Sequence, residues 1–525
     1  MVHDFTPRDL DGFRRHGIAL KEIERQLRLF REPPPPIRVE RPCSLGDGIR
    51  RLDESERAEC LSAFEAARAA ARCIKFVPAS GAASRMFASL LEMLQHPFKL
   101  ERRELERLAA SEDAAVAETL RFIDSIEEFA FRDSLDRSIA LHAPTPSLEV
   151  ALQRGEYRLI LEHVVTSVGL DLATTPKGLL PFHSQAEGAR TPFEEHLVET
   201  AAYVADANRH CRVHFTVSPE HQERFESRRD AVLQRYNSRY DVDLHVEFST
   251  QEPSTDTLAV DLVNRPFRTS SGEILLRPGG HGALIGNLDD LQGDLVYIKN
   301  IDNVTIEERT RESVLWKKLL GGFLCRTQER IFAHWSRLDG SPGDEHAVES
   351  ALRFVREELL GDVPESLQEQ DAQALRAYLL RWLHRPVRVC GMVRNTGEPG
   401  GGPFWVAGAD GMRSVQIVER AETDTRSESQ QRIFDSGTHF SPVDLVCGVR
   451  DAAGTPFDLR RHVDLAAVFI TEKSSEGRPL RALEHPGLWN GGMADWITLL
   501  VEVPDSTFNP VKTITDLLRP AHQPR

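Results

Sequence analysis

Apolar residues recur at helical spacing between residues 8 and 31, where Leu20, Ile23, Leu27 and Phe30 fall among charged neighbours. This predicts one amphipathic helix. Pro33 to Pro36 end it and form a stiff linker, because four prolines cannot continue a helix. A second helix is expected over Asp53–Arg72, which is rich in Ala and Glu and has an acidic start. The period then changes. Ile74-Lys75-Phe76-Val77 reads as a short strand, Pro78 to Ser84 as a turn of small residues, and Met86 to Leu94 as a helix. Residues 97 to 160 read as helical and highly charged. Beyond them strand-like runs at 213–217, 242–248 and 295–299 alternate with helical runs near 220–236 and 306–324. Such alternation predicts a mostly parallel sheet covered by helices on both faces. Residues 344–384 read as helical. The stretch from Val387 to about 510 reads as strand-rich, interrupted by a glycine-rich loop at 397–402.

Composition narrows the functions open to such a chain. The 525 residues, 40% hydrophobic and 28% charged, are those of an ordinary globular protein. A net charge of −16 repels polyanions and anionic lipid, which disfavours a nucleic-acid or membrane-surface role. A small anion held by a few local cations stays compatible with it. Seven scattered cysteines without a CxxC pair read as reduced intracellular thiols. The N-terminus has no signal-peptide pattern and no apolar run approaches the roughly 20 residues of a membrane span, so the expected location is cytoplasmic.

Four segments carry candidate chemistry. The first is the small-residue turn at 78–84, opening a helix. It could let backbone N–H groups approach a phosphate, with Arg85 as a planar cation; a plain strand–helix turn is the alternative. The second is Thr175-Pro176-Lys177-Gly178, which holds a lysine on a short constrained loop, either aimed at a phosphate or simply on the surface. Downstream, Thr191-Pro192-Phe193-Glu194-Glu195-His196 lacks HExxH spacing and reads as a capped helix start. The third is Pro278-Gly279-Gly280-His281-Gly282, permissive enough for close ligand approach, or for a loop crossing. The fourth is the strand end Asn300-Ile301-Asp302-Asn303. There a carboxylate at the carboxyl edge of a sheet could hold Mg²⁺ or cap the next helix.

Taken in order, these pieces resemble the UDP-sugar pyrophosphorylases. The strongest local match is Phe508-Asn509-Pro510-Val511-Lys512-Thr513-Ile514-Thr515-Asp516-Leu517-Leu518, similar to a C-terminal segment of that family. The 278–282 segment resembles its base-binding loop, 300–303 its metal-binding strand end, and Val415 to Glu422 its sugar-contacting segment. His214 to Pro219 resembles its strand and turn beside the nucleotide. The whole chain is also similar to a bacterial family known as domain of unknown function 4301. Two departures stand out: the turn at 78–84 is poorer in glycine than the family's nucleotide loop, and about 90 residues separate Arg85 from Lys177.

The resemblance implies a GT-A-like, Rossmann-related mixed α/β fold with added N-terminal helices (1–72). A nucleotidyltransferase-like core at 73–385 would carry a helical insertion at about 88–170, and a strand-rich part at 386–525 would complete the site. It implies that Gly81, Arg85 and Lys177 meet a triphosphate and that Gly280, His281 and Gly282 approach the base. Asp302 would hold Mg²⁺, Glu419 would bind sugar hydroxyls, and Lys512 would contact the sugar phosphate. The implied activity is Mg²⁺-dependent transfer of a nucleotidyl group from a nucleoside triphosphate to a sugar 1-phosphate. The glycine-poor turn favours the alternative, a non-catalytic nucleotide or nucleotide-sugar binding protein. A glycosyltransferase of similar fold would need a DxD-like pair, and Asn300 stands where its other acid would be.

Overall fold

The computed structural model describes residues 5–81, 83–96, 100–110, 113–364, 367, 372–397, 400–408 and 412–524. Part of the turn at 78–84 and of the loop at 397–402 therefore lies outside the described residues. The chain divides into two compact units, each assembled from three separate segments. One comprises Met1–Phe76, Ser249–Ile298 and Lys317–Asp505; the other comprises Val77–Phe248, Lys299–Trp316 and Ser506–Arg525.

The first unit is built on a mixed sheet whose strands run in the order Ser44–Leu45, Gly48–Arg50, Ile497–Glu502, Val387–Arg394, Asp444–Gly448, Leu295–Lys299, Cys73–Pro78. Leu295–Lys299 runs parallel to Cys73–Pro78, and Val387–Arg394 runs parallel to Ile497–Glu502 but antiparallel to Asp444–Gly448. The strands Leu295–Lys299 and Asp444–Gly448 are buried along their whole length, as continuous apolar runs in a covered sheet should be. One core joins Ile74, Phe76, Val296, Ile298, Met392 and Leu500 to Leu288 and Trp496.

A four-stranded antiparallel sheet (Leu276-Arg277, Thr257–Val260, Arg478–Glu484, Phe469–Ser475) was not legible in the sequence pattern. Phe13, Ile23, Leu27 and Phe30 of the N-terminal region pack on it against Leu258, Val260 and Leu483. That region forms two helices, Pro7–Arg15 and Leu20–Arg31, where one was expected. Gly17, at φ +71°, breaks the run in the left-handed conformation glycine tolerates. The helix expected at 306–324 instead runs from Thr310 to Gly340, because Leu324, Ile331 and Leu338 continue its buried face.

The second unit carries the strands His210–Val217 and Asp243–Thr250 with the helices Pro192–Tyr203 and Gln222–Tyr240. Their core includes Val77, Phe193, Phe215, Phe225, Val246 and Ile301. Thr191 caps the first of these helices in a reciprocal capping box with Glu194, behind Pro192, as the sequence predicts. The charged region after residue 97 forms five helices from Arg102 to Val165, which bury a separate core. Val304, Val511, Ile514 and Leu517 join that core, so the helical insertion clamps the C-terminal segment on both sides of Lys512. No helix among the described residues is long and apolar enough to cross a membrane, and all seven cysteines are buried free thiols.

Candidate functional site

The strand Leu295–Lys299 ends at Asn300, and the turn that follows delivers Asp302. The C-terminal segment lies alongside this turn. Asn509 N–H donates to Asn303 Oδ1 at 2.8 Å, Val511 N–H donates to Asp302 O at 3.2 Å, and Asn303 bridges to Pro510. Lys512 therefore emerges beside Asp302. Its own N–H donates to Asp516 Oδ2 at 2.7 Å, in a capping box closed by Thr513. Lys177 arrives from a third direction. Gly178, next to it, permits close packing: a Cβ there would lie 2.9 Å from the Phe225 ring and 3.1 Å from Ile301.

Three segments distant in sequence thus meet at one carboxylate oxygen. Lys177 Nζ donates to Asp302 Oδ2 at 2.9 Å and to Val511 O at 2.6 Å, and Lys512 Nζ donates to the same Oδ2 at 3.0 Å. The Asp302 side chain is 9% exposed, Lys177 19% and Lys512 51%. Burial pushes the Asp302 carboxyl upward, but Lys177 and Lys512 outweigh it and hold the group below its ordinary range. Burial pushes Lys177 down; Asp302 offsets only part of this, and the neighbouring charges of Lys512 and Arg85 add to the lowering. Two ammonium groups on one carboxylate leave a surplus positive charge. Arg85, exposed and without a carboxylate partner among the described residues, adds another.

The turn before Arg85 is braced from within. Ala79 N–H donates to Thr216 O, Gly81 N–H to Ser218 Oγ, and Ala83 N–H to Thr175 O. Gly81, at φ +105°, faces open space. Three of the N–H groups expected to cradle a phosphate are therefore engaged by the protein itself.

The remaining expected site residues belong to the first unit. Gly280 adopts φ +78°, and a Cβ on Gly282 would lie 2.1 Å from Pro486 O, so the glycines serve a close approach to the chain's own Glu484–Pro486 segment. The His281 ring stacks on Trp489 with centroids 4.3 Å apart, and its Nδ1 accepts from Leu488 N–H at 3.0 Å. Burial lowers the His281 pKa to about 4, so the neutral ring carries its proton on Nε2. Glu419 opens the short turn Arg420–Glu422. Asn490 Nδ2 donates to Glu422 at 2.8 Å and reaches Glu419 at 3.5 Å. Burial raises Glu419 and takes Glu422 to about 7. Glu422 closes the segment 415–422 that the sequence marked, whereas Trp489 and Asn490 escaped sequence reasoning, though the aromatic-polar-glycine run Trp489-Asn490-Gly491-Gly492 marks the place.

The fit of Mg²⁺ can be judged on donor chemistry. Mg²⁺ requires near-octahedral oxygen ligands at about 2 Å, whereas Asp302 Oδ2 already accepts from two cations. No cluster of three or more His, Cys, Asp or Glu able to hold a metal occurs among the described residues. The arrangement fits a paired-lysine anion site; a Mg²⁺ held here would have to take Asp302 Oδ1 together with water and substrate phosphate oxygens, because the two lysines occupy Oδ2.

No curated protein matches the chain. Among solved structures, it is similar to a point variant of UDP-glucose pyrophosphorylase from Leishmania major, at 13% identity over 98% of this chain and 79% of that one, with a TM-score of 0.43. It is likewise similar to another variant of that enzyme in complex with UDP-glucose (12%, 98% and 79%, TM-score 0.41). UDP-glucose phosphorylase from Trypanosoma brucei is a third such structure (12%, 97% and 77%, TM-score 0.43). The profile of one family matches residues 6–523, nearly the whole sequence: the chain belongs to the family described as Domain of unknown function (DUF4301).

Proposed function

We propose that this protein is a cytoplasmic nucleotidyltransferase that joins a nucleoside triphosphate to a sugar 1-phosphate and releases pyrophosphate. The observation that carries this reading is the convergence of Lys177 and Lys512 on Asp302, with the exposed Arg85 as a further nearby cation. In the reaction a phosphate oxygen of the sugar 1-phosphate attacks the α-phosphorus. The bond from that phosphorus to the bridging oxygen breaks, and pyrophosphate leaves with the electron pair. A phosphate monoester is already a nucleophile, so no general base is needed. The work left to the protein is to hold two mutually repelling anions in line and to neutralise charge on the leaving group. Lys512, half exposed, suits the incoming sugar phosphate, and Lys177 and Arg85 suit the triphosphate. Mg²⁺ enters this reading as the counter-ion carried on the triphosphate, and the chain itself supplies lysine and arginine charge.

A second reading, a nucleotide-sugar binding protein without turnover, is favoured by the internally satisfied turn at Ala79, Gly81 and Ala83. Pyrophosphate release with each nucleoside triphosphate, Mg²⁺ and a panel of sugar 1-phosphates separates the two. Release with one pair supports the transferase; nucleotide binding by calorimetry without release from any pair supports the binder.

A further inference from the structure

The helical insertion supplies one polar contact that its core packing does not require. On the helix Ala114–Asp124, Val116, Thr119 and Leu120 are buried, and Glu118 stands half-buried at the margin of that core. Its carboxylate accepts hydroxyl hydrogens from two other elements. Ser89 Oγ–H donates to Glu118 Oε2, and Thr515 Oγ1–H donates to Glu118 Oε1 at 3.1 Å. Ser89 lies on the helix Ala88–Gln95, which continues the short turn Ser84–Phe87 that carries Arg85. Thr515 lies in the turn Ile514–Leu518, shortly after Lys512. From there the link runs on to the Lys512 backbone. Thr515 Oγ1 and Thr513 Oγ1 are 3.2 Å apart, and Asp516 Oδ2 accepts from the N–H groups of Lys512 at 2.7 Å and Thr513 at 2.8 Å. All of these residues belong to the second unit.

Apolar packing already joins the same elements, since Phe87, Leu90, Ile514 and Leu517 share one core with Val116 and Leu120. Such contacts are non-directional, so they hold the elements together without fixing their register. Hydrogen bonds add a preferred distance and angle. The two oxygens of one carboxylate keep a constant separation, so a carboxylate that takes one hydroxyl on each oxygen sets how far apart the two elements sit. The setting matters here, because misplacing a group that positions a reactant by about 1 Å can cost roughly 100-fold in rate. Charge gives the opposite expectation. In a chain of net charge −16, a further carboxylate in the unit that gathers the cations weakens their pull on an anion. Glu118 thus opposes anion binding as a charge and favours it as a bridge, and substitution can separate the two.

We infer that Glu118 is a positioning residue: by tying Ser89 to Thr515 it sets the spacing between Arg85 and Lys512, and so between the triphosphate and the sugar phosphate. This positioning role rests on the phosphate-handling roles proposed above for Arg85 and Lys512.

Calorimetric titration of inorganic tripolyphosphate into the full-length protein tests this, at a temperature where circular dichroism shows every variant folded. Arg85→Gln and Lys512→Gln report whether the probe uses those cations. Glu118→Ala and Thr515→Val break the bridge from either side. Glu118→Gln keeps it, because a carboxamide oxygen accepts from one hydroxyl and its NH₂ donates to the other. Affinity should fall at least about fivefold in Arg85→Gln, Lys512→Gln, Glu118→Ala and Thr515→Val, and stay within about twofold of wild type in Glu118→Gln. Stronger binding in both Glu118 variants assigns the residue a charge effect, and unchanged binding in Glu118→Ala and Thr515→Val leaves it a packing role; either result overturns the positioning role, as does an equal loss in Glu118→Gln and Glu118→Ala. Unchanged binding in Arg85→Gln and Lys512→Gln, or none by the wild type, overturns the phosphate site itself and the positioning role with it, so the two failures are told apart.

Discussion

At the scale of single residues, charge bookkeeping around Asp302 decides what each side chain can do. Lys512 is half exposed and costs little to lose. Lys512→Ala should change stability by no more than about 0.5 kcal/mol, while lowering kcat/KM for pyrophosphate formation roughly 100-fold, about 2.7 kcal/mol of transition-state stabilisation. Urea unfolding and steady-state kinetics read the two effects separately. Asp302→Ala is the opposite case. It strands the largely buried Lys177 and should cost about 3 kcal/mol of stability. The pH signs follow from the directions of the shifts. Asp302 stays ionised below the ordinary carboxylate range, so its pairing stabilises the fold above about pH 4 and is lost as pH falls through its depressed pKa. Lys177 loses its proton below the ordinary lysine range, so anion affinity should weaken on the alkaline side before a free lysine would titrate. In that window the unfolded chain holds more protons than the folded one, and stability from this group rises with pH.

At the scale of elements, the C-terminal segment is the piece on which the site depends. Leu517, 2% exposed in the core of the helical insertion, anchors the turn that carries Lys512. Leu517→Ala should cost about 2–5 kcal/mol, and at temperatures where the fold survives it should weaken phosphate affinity without touching a phosphate contact. Further along, His522 Nδ1 meets His183 Nε2 at 2.9 Å, and His183 Nδ1 meets Glu195 at 2.7 Å. Burial lowers both histidines to about 3 and raises Glu195 to about 8. The histidines are therefore neutral in the fold while protonated in the unfolded chain, so their contribution rises with pH from about 3 to 6.5. Glu195 has the opposite sign: the fold keeps a proton that the unfolded chain loses above about pH 4.3, and stability falls with pH up to about 8. The combined profile should peak near pH 6.5. Glu195→Gln should flatten the alkaline limb, and unfolding free energies at pH 5–8 decide this.

The residues of this element were legible beforehand, their long-range contacts were not, and the reason is physical. The motif around Lys512 and the strand ending at Asp302 could be read from local residue order, because turn chemistry and apolar runs are local. Which lysines share a carboxylate could not, because Val511 O and Asp302 Oδ2 come together only through long-range pairing. The split at Gly17 was available in principle as a glycine within a helical period. The four-stranded antiparallel sheet was not, since strands as short as Leu276-Arg277 carry no period to detect.

At the scale of the whole molecule, a net charge of −16 and the proposed phosphate site are compatible because the cations are few, scattered in sequence and gathered by folding. Affinity for duplex DNA at about 0.1 M salt should accordingly be negligible in a gel-shift assay, while a nucleoside triphosphate binds the same preparation. The interleaving of three segments into each unit means that neither can be cut out as one contiguous stretch, so tests belong on the full chain. The central claim is that Lys177 and Lys512, gathered on Asp302, work on the phosphates of a nucleotidyl transfer. The most direct test is pyrophosphate release by the wild-type protein and by Lys177→Met/Lys512→Met, with the best pair of triphosphate and sugar 1-phosphate. The account predicts steady release by the first and loss of at least 99% of it by the second; equal rates from the two proteins would contradict it.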